Sequence, residues 1–136
     1  MRTKSIRQSV TFRAPPGKVY EAIMDSRKHA RLTGSKATIS RKVRGAFAAY
    51  DGYIKGTNLE LVPEKRIVQS WHASEDCWPE GHFSKVTLSF KRTRTGTKMS
   101  FFHSGVLEGC YKSLKQGWWD SYWNPMKKMF QEQRHS

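Results

Sequence analysis

The sequence predicts a single α+β domain in which a curved antiparallel sheet packs against a long C-terminal helix. Apolar and polar residues alternate over several short segments separated by turn residues, a pattern typical of half-buried strands. Helical periodicity is confined to a region after the first strand and to the C-terminal segment. That last segment holds three Trp and one Tyr between positions 118 and 123. So much aromatic surface must be buried against another element, and the sheet is the expected partner.

The N-terminal region is predicted to form one strand and two short helices. Residues 4–13 alternate between apolar and polar, with Gln8 as the polar exception on the apolar side. The prolines that follow end this strand and suit the first turn of a helix. Asp25 or Ser26 can cap a second helix, which we expect to stop at Gly34.

Six further strands are predicted before the last helix. Their expected bounds are 36–40, 44–50, 53–62, 66–72, 84–91 and 97–104. Asp51-Gly52 is a strong signal for the hairpin turn between the second and third of these strands. Gly56 is expected to mark a bulge. The polar segment 73–81 is expected to be a loop.

The C-terminal helix is predicted to run from about Cys110 to Gln133. Large apolar side chains recur at steps of four and fall on one slowly drifting face: Leu114, Trp118, Tyr122, Met126 and Phe130. Pro125 lies inside this helix and removes one backbone hydrogen bond, so we expect a bend there that lets the helix follow a curved sheet.

The charge of the chain is large and unevenly distributed. The net charge is +14, of which residues 1–44 contribute +10, residues 45–90 contribute −2 and residues 91–136 contribute +6. A basic N-terminal third can attract nucleic acid, an acidic protein or an anionic membrane surface, or it can serve solubility alone. No stretch of about 18 apolar residues occurs, so we expect no membrane span. The N-terminus also lacks the apolar region of a secretory signal.

The cysteines and histidines point to no metal site. Cys77 and Cys110 have no metal-type spacing, and we expect them to be free thiols in a reducing cytoplasm. The histidines at 29, 72, 82 and 103 lack the short paired spacings of common zinc sites. No metal and no cofactor are therefore expected.

The predicted order of strand, two helices, six strands and helix resembles the helix-grip fold of the START and birch-pollen-allergen superfamily (SRPBCC). More narrowly, the chain resembles free-standing homologues of the C-terminal domain of the heat-shock protein 90 ATPase activator. The resemblance covers nearly the whole chain, and the stretches that carry it are Asp51-Gly52-Tyr53-Ile54-Lys55-Gly56, Leu59-Glu60-Leu61-Val62-Pro63, Arg66-Ile67-Val68-Gln69-Ser70-Trp71, His82-Phe83-Ser84-Lys85-Val86-Thr87-Leu88, Gly117-Trp118, Tyr122-Trp123 and Pro125-Met126.

This resemblance implies one helix-grip domain over residues 1–136. It also implies a non-enzymatic, cytoplasmic partner or regulator of a heat-shock protein 90 type chaperone in the stress response. Two alternatives stay open, because the wider superfamily includes ligand carriers and polyketide cyclases. The protein would then carry or sense a small hydrophobic ligand between sheet and helix, or it would be a cyclase-like enzyme. A fold does not assign a function, and the chain has no nucleophile elbow, phosphate-binding loop or zinc-protease motif.

Two groups of candidate site residues follow. If the space between sheet and helix is a ligand cavity, its expected lining is Tyr53, Trp71, Phe83, Phe101, His103, Leu114, Trp118 and Tyr122. The same side chains could instead fill the core. His103 would be a core histidine, a polar anchor or a general base, and Glu21 and Glu60 are the acids to examine beside it.

The second group is a basic patch that could meet an acidic chaperone surface: Arg27, Lys28, Arg31, Lys36, Arg41, Lys42 and Arg44. No nucleic-acid motif accompanies this patch, so nucleic-acid binding is not expected.

Overall fold

Seven antiparallel strands and a long C-terminal helical segment confirm the predicted α+β class and the helix-grip order. The computed structural model describes the backbone of residues 2–135 and the side chains of residues 2–132, so the two ends of the predicted domain lie outside the described residues. The sheet order is β1-β7-β6-β5-β4-β3-β2. The strands are β1 Thr3–Phe12, β2 Thr38–Ile39, β3 Ala46–Ala49, β4 Ile54–Val62, β5 Arg66–Ala73, β6 Ser84–Thr93 and β7 Gly96–Leu107. The α-helices are α1 Pro16–Met24, α2 Ser26–Thr33, α3 Tyr111–Trp118 and α4 Asn124–His135.

The predicted helix signals act at α1 and α2. A proline opens α1, where its missing N–H is of no consequence. The Asp25 carboxylate accepts a hydrogen bond from the Lys28 N–H and caps α2. Gly34 ends α2 in the left-handed conformation, with φ of 76°. Both helices are therefore bounded by local chemistry, as expected.

The hairpin at Asp51-Gly52 is also present, whereas the expected bulge at Gly56 is wrong. Ala49 pairs with Ile54 across the turn, and Gly52 has φ of 91°. The pairing of β3 with β4 runs without a break through Gly56. A Cβ at Gly56 would collide with the Ser70 carbonyl oxygen on the neighbouring strand, so this glycine permits close strand packing. The irregularity in β4 lies between Asn58 and Glu60 instead.

The core lies between one face of the sheet and the helices, the C-terminal helical segment among them. Its most deeply buried side chains come from several elements: Ile6, Val10, Val19, Met24, Ile67, Val86, Met99, Val106, Trp123 and Met126. The indole N–H of Trp123 donates to the Gln8 side-chain oxygen at 2.7 Å. Gln8 thus interrupts the apolar side of β1 because it satisfies a buried indole.

Next to Pro125, where a bend was expected, the chain forms a π-helical turn, Trp119–Trp123, between α3 and α4. The Asn124 N–H reaches the Trp119 carbonyl, five residues earlier. This wider turn shifts the helical register. As a result, Tyr122 and Trp123 are both buried beside Trp118.

The expectation of free thiols is wrong. Cys77 and Cys110 form a disulfide, with their Cα atoms 5.8 Å apart. The bond joins the loop between β5 and β6 to the residue that precedes α3. Sequence spacing could not show this pairing, because it depends on where the sheet places two distant segments.

None of the helices within residues 2–135 combines the length and the apolar character that a membrane crossing requires.

Candidate ligand and partner sites

His103 lies at the centre of a directed chain of hydrogen bonds beneath the C-terminal helix. The Trp118 indole N–H donates to His103 Nδ1 at 3.1 Å. Because Nδ1 accepts, Nε2 carries the proton and donates to Ser84 Oγ at 2.7 Å. Ser84 in turn donates to the Trp71 carbonyl at 3.1 Å. Both ring nitrogens of His103 are therefore engaged within the protein.

This arrangement holds His103 neutral and removes it from chemistry with a ligand. The side chain is fully buried, and burial lowers the pKa of His103 from 6.5 to about 3. With Nδ1 and Nε2 both occupied, no lone pair remains to accept a proton from a substrate. Neither of the two acids that were considered as partners of His103 contacts it. Glu21 pairs with Arg41, and Glu60 pairs with Arg66. His103 is a structural core histidine.

A second buried histidine holds Tyr122 in the same way. His29 Nδ1 donates to the Ile23 carbonyl at 2.9 Å, and the Tyr122 hydroxyl donates to His29 Nε2 at 2.9 Å. Desolvation lowers the pKa of His29 and raises the pKa of Tyr122. This contact links α2 to the π-helical turn across 93 positions of sequence, and nothing in the local pattern around His29 indicated it.

A half-open pocket of about 170 Å³ lies between the sheet and the helix, at the end where the β3–β4 turn approaches α3. Its lining comes from that turn, the start of β4, β5, the β5–β6 loop, α3 and the π-helical turn. The lining residues are Tyr50, Tyr53, Ile54, Trp71, Glu75, Ser113, Leu114, Gly117, Trp118, Ser121 and Tyr122.

Two tyrosines fix the mouth of this pocket. The Tyr50 hydroxyl donates to the Ser121 carbonyl at 2.8 Å. The Tyr53 hydroxyl donates to the Glu75 carboxylate, and both desolvation and this acceptor raise the pKa of Tyr53. The β3–β4 turn is thereby attached to the helix on one side and to the β5–β6 loop on the other.

The structure brings five of the eight predicted lining residues together at the pocket: Tyr53, Trp71, Leu114, Trp118 and Tyr122. Phe101 packs on Trp118 with ring centroids 4.6 Å apart, and together with His103 it lies behind the pocket wall. Phe83 does not line the pocket, because it is 48% exposed and packs on His72. The pattern of apolar residues around Phe83 did not show that this residue lies in the exposed loop before β6.

Sequence reasoning missed four polar contributors to the pocket, which are Tyr50, Glu75, Ser113 and Ser121. Tyr50 and Ser121 lie where the sequence predicts a strand and a helix, and Glu75 lies where it predicts a polar loop. The turn signal at Asp51-Gly52 could have drawn attention to Tyr50, since residues flanking a turn project beyond the sheet. No local signal marked Glu75 or Ser121.

A second, smaller cavity of about 30 Å³ lies among the core side chains around Gln69, Trp71 and Trp123. That volume is about that of one water molecule in the liquid. Beside it, Trp118, Tyr122 and Trp123 of the C-terminal segment are buried in the core.

The seven predicted basic-patch residues are all exposed. They lie on α2 and on the segments around β2. Ser26 Oγ on α2 accepts the Ile39 N–H of β2 at 2.8 Å, and the Arg41 guanidinium contacts the carboxylate of Glu21 on α1 at 2.5 Å. Lys28 and Arg41 also line one shallow surface groove. Arg41 is the one patch residue with an ion pair among the described side chains.

One group of potential metal ligands lies near the pocket mouth. Glu75, Cys77 and Cys110 are close together, but the two sulfur atoms are bonded to each other. A disulfide offers no thiolate to a metal ion.

A comparison with known proteins found a family match over most of the chain. Residues 13–131 match the model of the family described as activator of Hsp90 ATPase homolog 1-like protein. The chain is 31% identical over 120 residues to the human activator of 90 kDa heat shock protein ATPase homolog 1, covering 88% of this chain and 35% of that one. An uncharacterized protein of Schizosaccharomyces pombe is 29% identical over 128 residues, covering 94% of this chain and 38% of its own length. The chain thus spans little more than a third of these two relatives.

Solved structures share the fold. An HSP90 activator from Plasmodium falciparum superposes with a TM-score of 0.80 at 24% identity, covering 95% of this chain and 96% of that one. DynU16, a protein of the dynemicin biosynthetic locus, gives a TM-score of 0.75 at 19% identity, covering 91% of this chain and 46% of that one. At these identities the likeness establishes the fold alone.

Proposed function

This chain belongs to the activator of Hsp90 ATPase homolog 1-like family, and we propose that it is a non-enzymatic partner of an Hsp90-type chaperone. It would regulate the ATPase of that chaperone in the stress response. The relatives are named for this activity as whole proteins, and this chain matches about a third of their length. The proposal therefore concerns what this single domain does when it meets the chaperone.

The observation that carries the proposal is an uncompensated basic surface. Residues 1–44 contain twelve Lys and Arg but only two acids, and both acids are engaged. Glu21 pairs with Arg41, while Asp25 caps α2. The remaining cations around α2 are free to meet an acidic partner, which would speed association and select its orientation.

The small size of the second cavity also supports a partner role. A domain that works through its surface needs a solid core, whereas a carrier needs a connected internal cavity with an opening. Besides the half-open pocket, the cavity between sheet and helix around Gln69 and Trp123 measures about 30 Å³.

The proposal is tested by ATP turnover of the same organism's Hsp90-type chaperone, with and without this protein, at low and at moderate salt. We expect stimulation that weakens as salt rises, because surface charges are screened over about 8–10 Å. A triple variant, Arg27→Ala, Arg31→Ala and Lys36→Ala, should weaken the apparent affinity about tenfold.

The matched control removes the same charge elsewhere. Lys91, Arg92 and Arg94 are exposed at the β6–β7 hairpin, and changing all three to Ala should leave the stimulation nearly intact. If both triple variants lost affinity for the chaperone equally, the effect on affinity would depend on net charge alone, and the patch proposal would be wrong. No change in turnover at saturating protein would remove the chaperone proposal itself.

A second candidate function, carriage or sensing of a small ligand, draws on the half-open pocket of about 170 Å³. Native mass spectrometry of protein purified from its host should then show a bound small molecule. Repeated absence of such a molecule, with no thermal shift from added ligands, counts against carriage. The cyclase-like alternative loses its one candidate general base, because both nitrogens of His103 are engaged.

A further inference from the structure

We propose that the pocket binds a small organic cation whose ammonium nitrogen carries alkyl groups. This inference rests on the second candidate function, that the pocket takes a small ligand, and it specifies the chemical class of that ligand. Three features of the described residues support it: the aromatic walls, the direction of their hydrogen bonds, and the charge of the lining.

The walls are built from aromatic rings. Five of the eleven lining residues are aromatic: Tyr50, Tyr53, Trp71, Trp118 and Tyr122. Tyr50 and Tyr122 stand nearly perpendicular, with centroids 5.8 Å apart and planes at 86°. Trp71 and Trp118 adjoin them, with centroids 5.5 Å apart. Ring faces carry negative potential and attract cations, most strongly where water is excluded.

The hydrogen bonds of these rings leave acceptors at the pocket. Tyr50 donates to the Ser121 carbonyl, Tyr53 to Glu75 and Tyr122 to His29. Trp118 donates to His103. Four of the five aromatic residues therefore have their polar hydrogen committed elsewhere. Their oxygens and ring faces are electron-rich, which suits a ligand with positive charge.

The pocket lining carries a negative charge in an otherwise basic protein. Glu75 is the one charged residue in the lining. The turn 50–53 and the loop 74–83 carry four acids, Asp51, Glu75, Asp76 and Glu80, and no Lys or Arg. Lys112 and Lys115 are exposed on α3 and do not line the pocket. An anionic ligand would meet the Glu75 carboxylate, whereas a cation would be attracted by it.

Alkylation of the ammonium follows from the presence of a single charged acceptor in the lining. A primary ammonium is strongly hydrated and needs a partner for each of three donors. The pocket offers one carboxylate beside mostly apolar walls. A quaternary ammonium has no N–H to satisfy and packs its methyl groups against rings. The volume of about 170 Å³ equals about six waters at ~30 Å³ each, enough for a trimethylammonium group with a short tail.

The test compares choline with its neutral carbon isostere, 3,3-dimethylbutan-1-ol, which has the same shape without the charge. Binding is followed by titration calorimetry and by the NMR signals of the Trp71 and Trp118 indole N–H groups. We expect choline to bind about tenfold more tightly than the isostere. Glu75→Gln should weaken choline about tenfold and leave the isostere unchanged, which also shows that the pocket is intact.

The control variant is Glu80→Gln, which removes the same charge from the same loop outside the lining and should change choline binding less than twofold. Equal affinity for choline and the isostere would overturn the cation proposal while the small-ligand function stands. Failure of both probes to move the indole signals at millimolar concentration would also overturn the cation proposal, while the small-ligand function is decided by the native mass spectrometry described above. Chaperone stimulation is measured independently and is unaffected by either result.

Discussion

The two buried histidines show how single residues fix the aromatic helix in place. His103 and His29 each accept one hydrogen from an aromatic side chain of the C-terminal segment and donate one hydrogen to a group in the sheet or in the first helices. Each bond has a defined direction, so each imidazole has one permitted tautomer. Trp118 and Tyr122 are thereby oriented by polar contacts as well as by packing.

These histidines should make the protein sensitive to mild acid. The folded pKa of His103, about 3, lies below its ordinary value of 6.5, so the unfolded chain takes up a proton first as pH falls. The stabilisation is complete above about pH 6.5 and declines toward pH 3. Between about pH 7.5 and pH 5, the free energy of unfolding should fall by on the order of 2 kcal/mol from His103 alone.

The measurement is urea unfolding across this pH range for the wild type and for His103→Gln. Glutamine can accept from Trp118 and donate to Ser84, yet it does not titrate. In the variant, the free energy of unfolding should depend less steeply on pH. The pH dependence that remains is attributed to His29, whose pKa is also lowered. Identical slopes in the two proteins would show that His103 does not stay neutral in the fold.

Among the secondary-structure elements, the C-terminal helix is shaped by a proline and a distant tyrosine acting together. Pro125 lacks an N–H, so the Ser121 carbonyl four residues earlier loses its α-helical partner. The Tyr50 hydroxyl supplies a donor instead, at 2.8 Å across 71 positions. The π-helical turn accommodates the interruption and places Tyr122 and Trp123 inside.

This coupling can be measured with a double-mutant cycle. Tyr50→Phe should lower the free energy of unfolding by about 1 kcal/mol, because the Ser121 carbonyl loses its donor. In a Pro125→Ala background the same change should cost little, since the alanine brings its own N–H to the helix. A coupling of at least about 0.5 kcal/mol is expected. Additive effects would mean that Tyr50 and Pro125 act separately.

A missing backbone hydrogen bond and a bend were predicted from Pro125, but the π-helical turn was not. A proline indicates where a backbone bond is missing, whereas the way the chain compensates depends on which side chain lies opposite. Tyr50 comes from a hairpin turn far away in sequence, so no window along the helix could reveal it. The same reason explains why the pocket mouth was only partly predicted: Tyr53 was expected there, while Glu75 was not.

Across the molecule as a whole, one covalent bond joins the two sides of the pocket. Cys77 lies two residues after Glu75, and Cys110 directly precedes α3. The disulfide closes a loop with a sequence separation of 33. Such a loop restricts the unfolded chain and holds the β5–β6 loop against the helix in the folded state.

Loss of this bond should lower stability substantially. The chain-entropy relation gives about 3–4 kcal/mol for a loop of this length. Urea unfolding with and without reductant measures the effect, and reductant should change nothing in a Cys77→Ala, Cys110→Ala double variant. Rapid labelling of both cysteines in the native protein without reductant would contradict the bond.

The linear chain was enough to predict the order of the elements and the family. It was also enough to predict the hairpin at Asp51-Gly52 and the bounds of α2 at Asp25 and Gly34. These features depend on local periodicity, on turn chemistry and on ordered motifs, which are present before any folding. Three features became visible only in the folded molecule. Both nitrogens of His103 are engaged in hydrogen bonds, and the two cysteines are paired. Five of the predicted residues surround a pocket, whereas Phe83 lies outside it. Those outcomes depend on contacts between residues that the sheet and the helix bring together from distant parts of the chain. A pattern of apolar positions does not specify which side chains meet or whether they leave space between them.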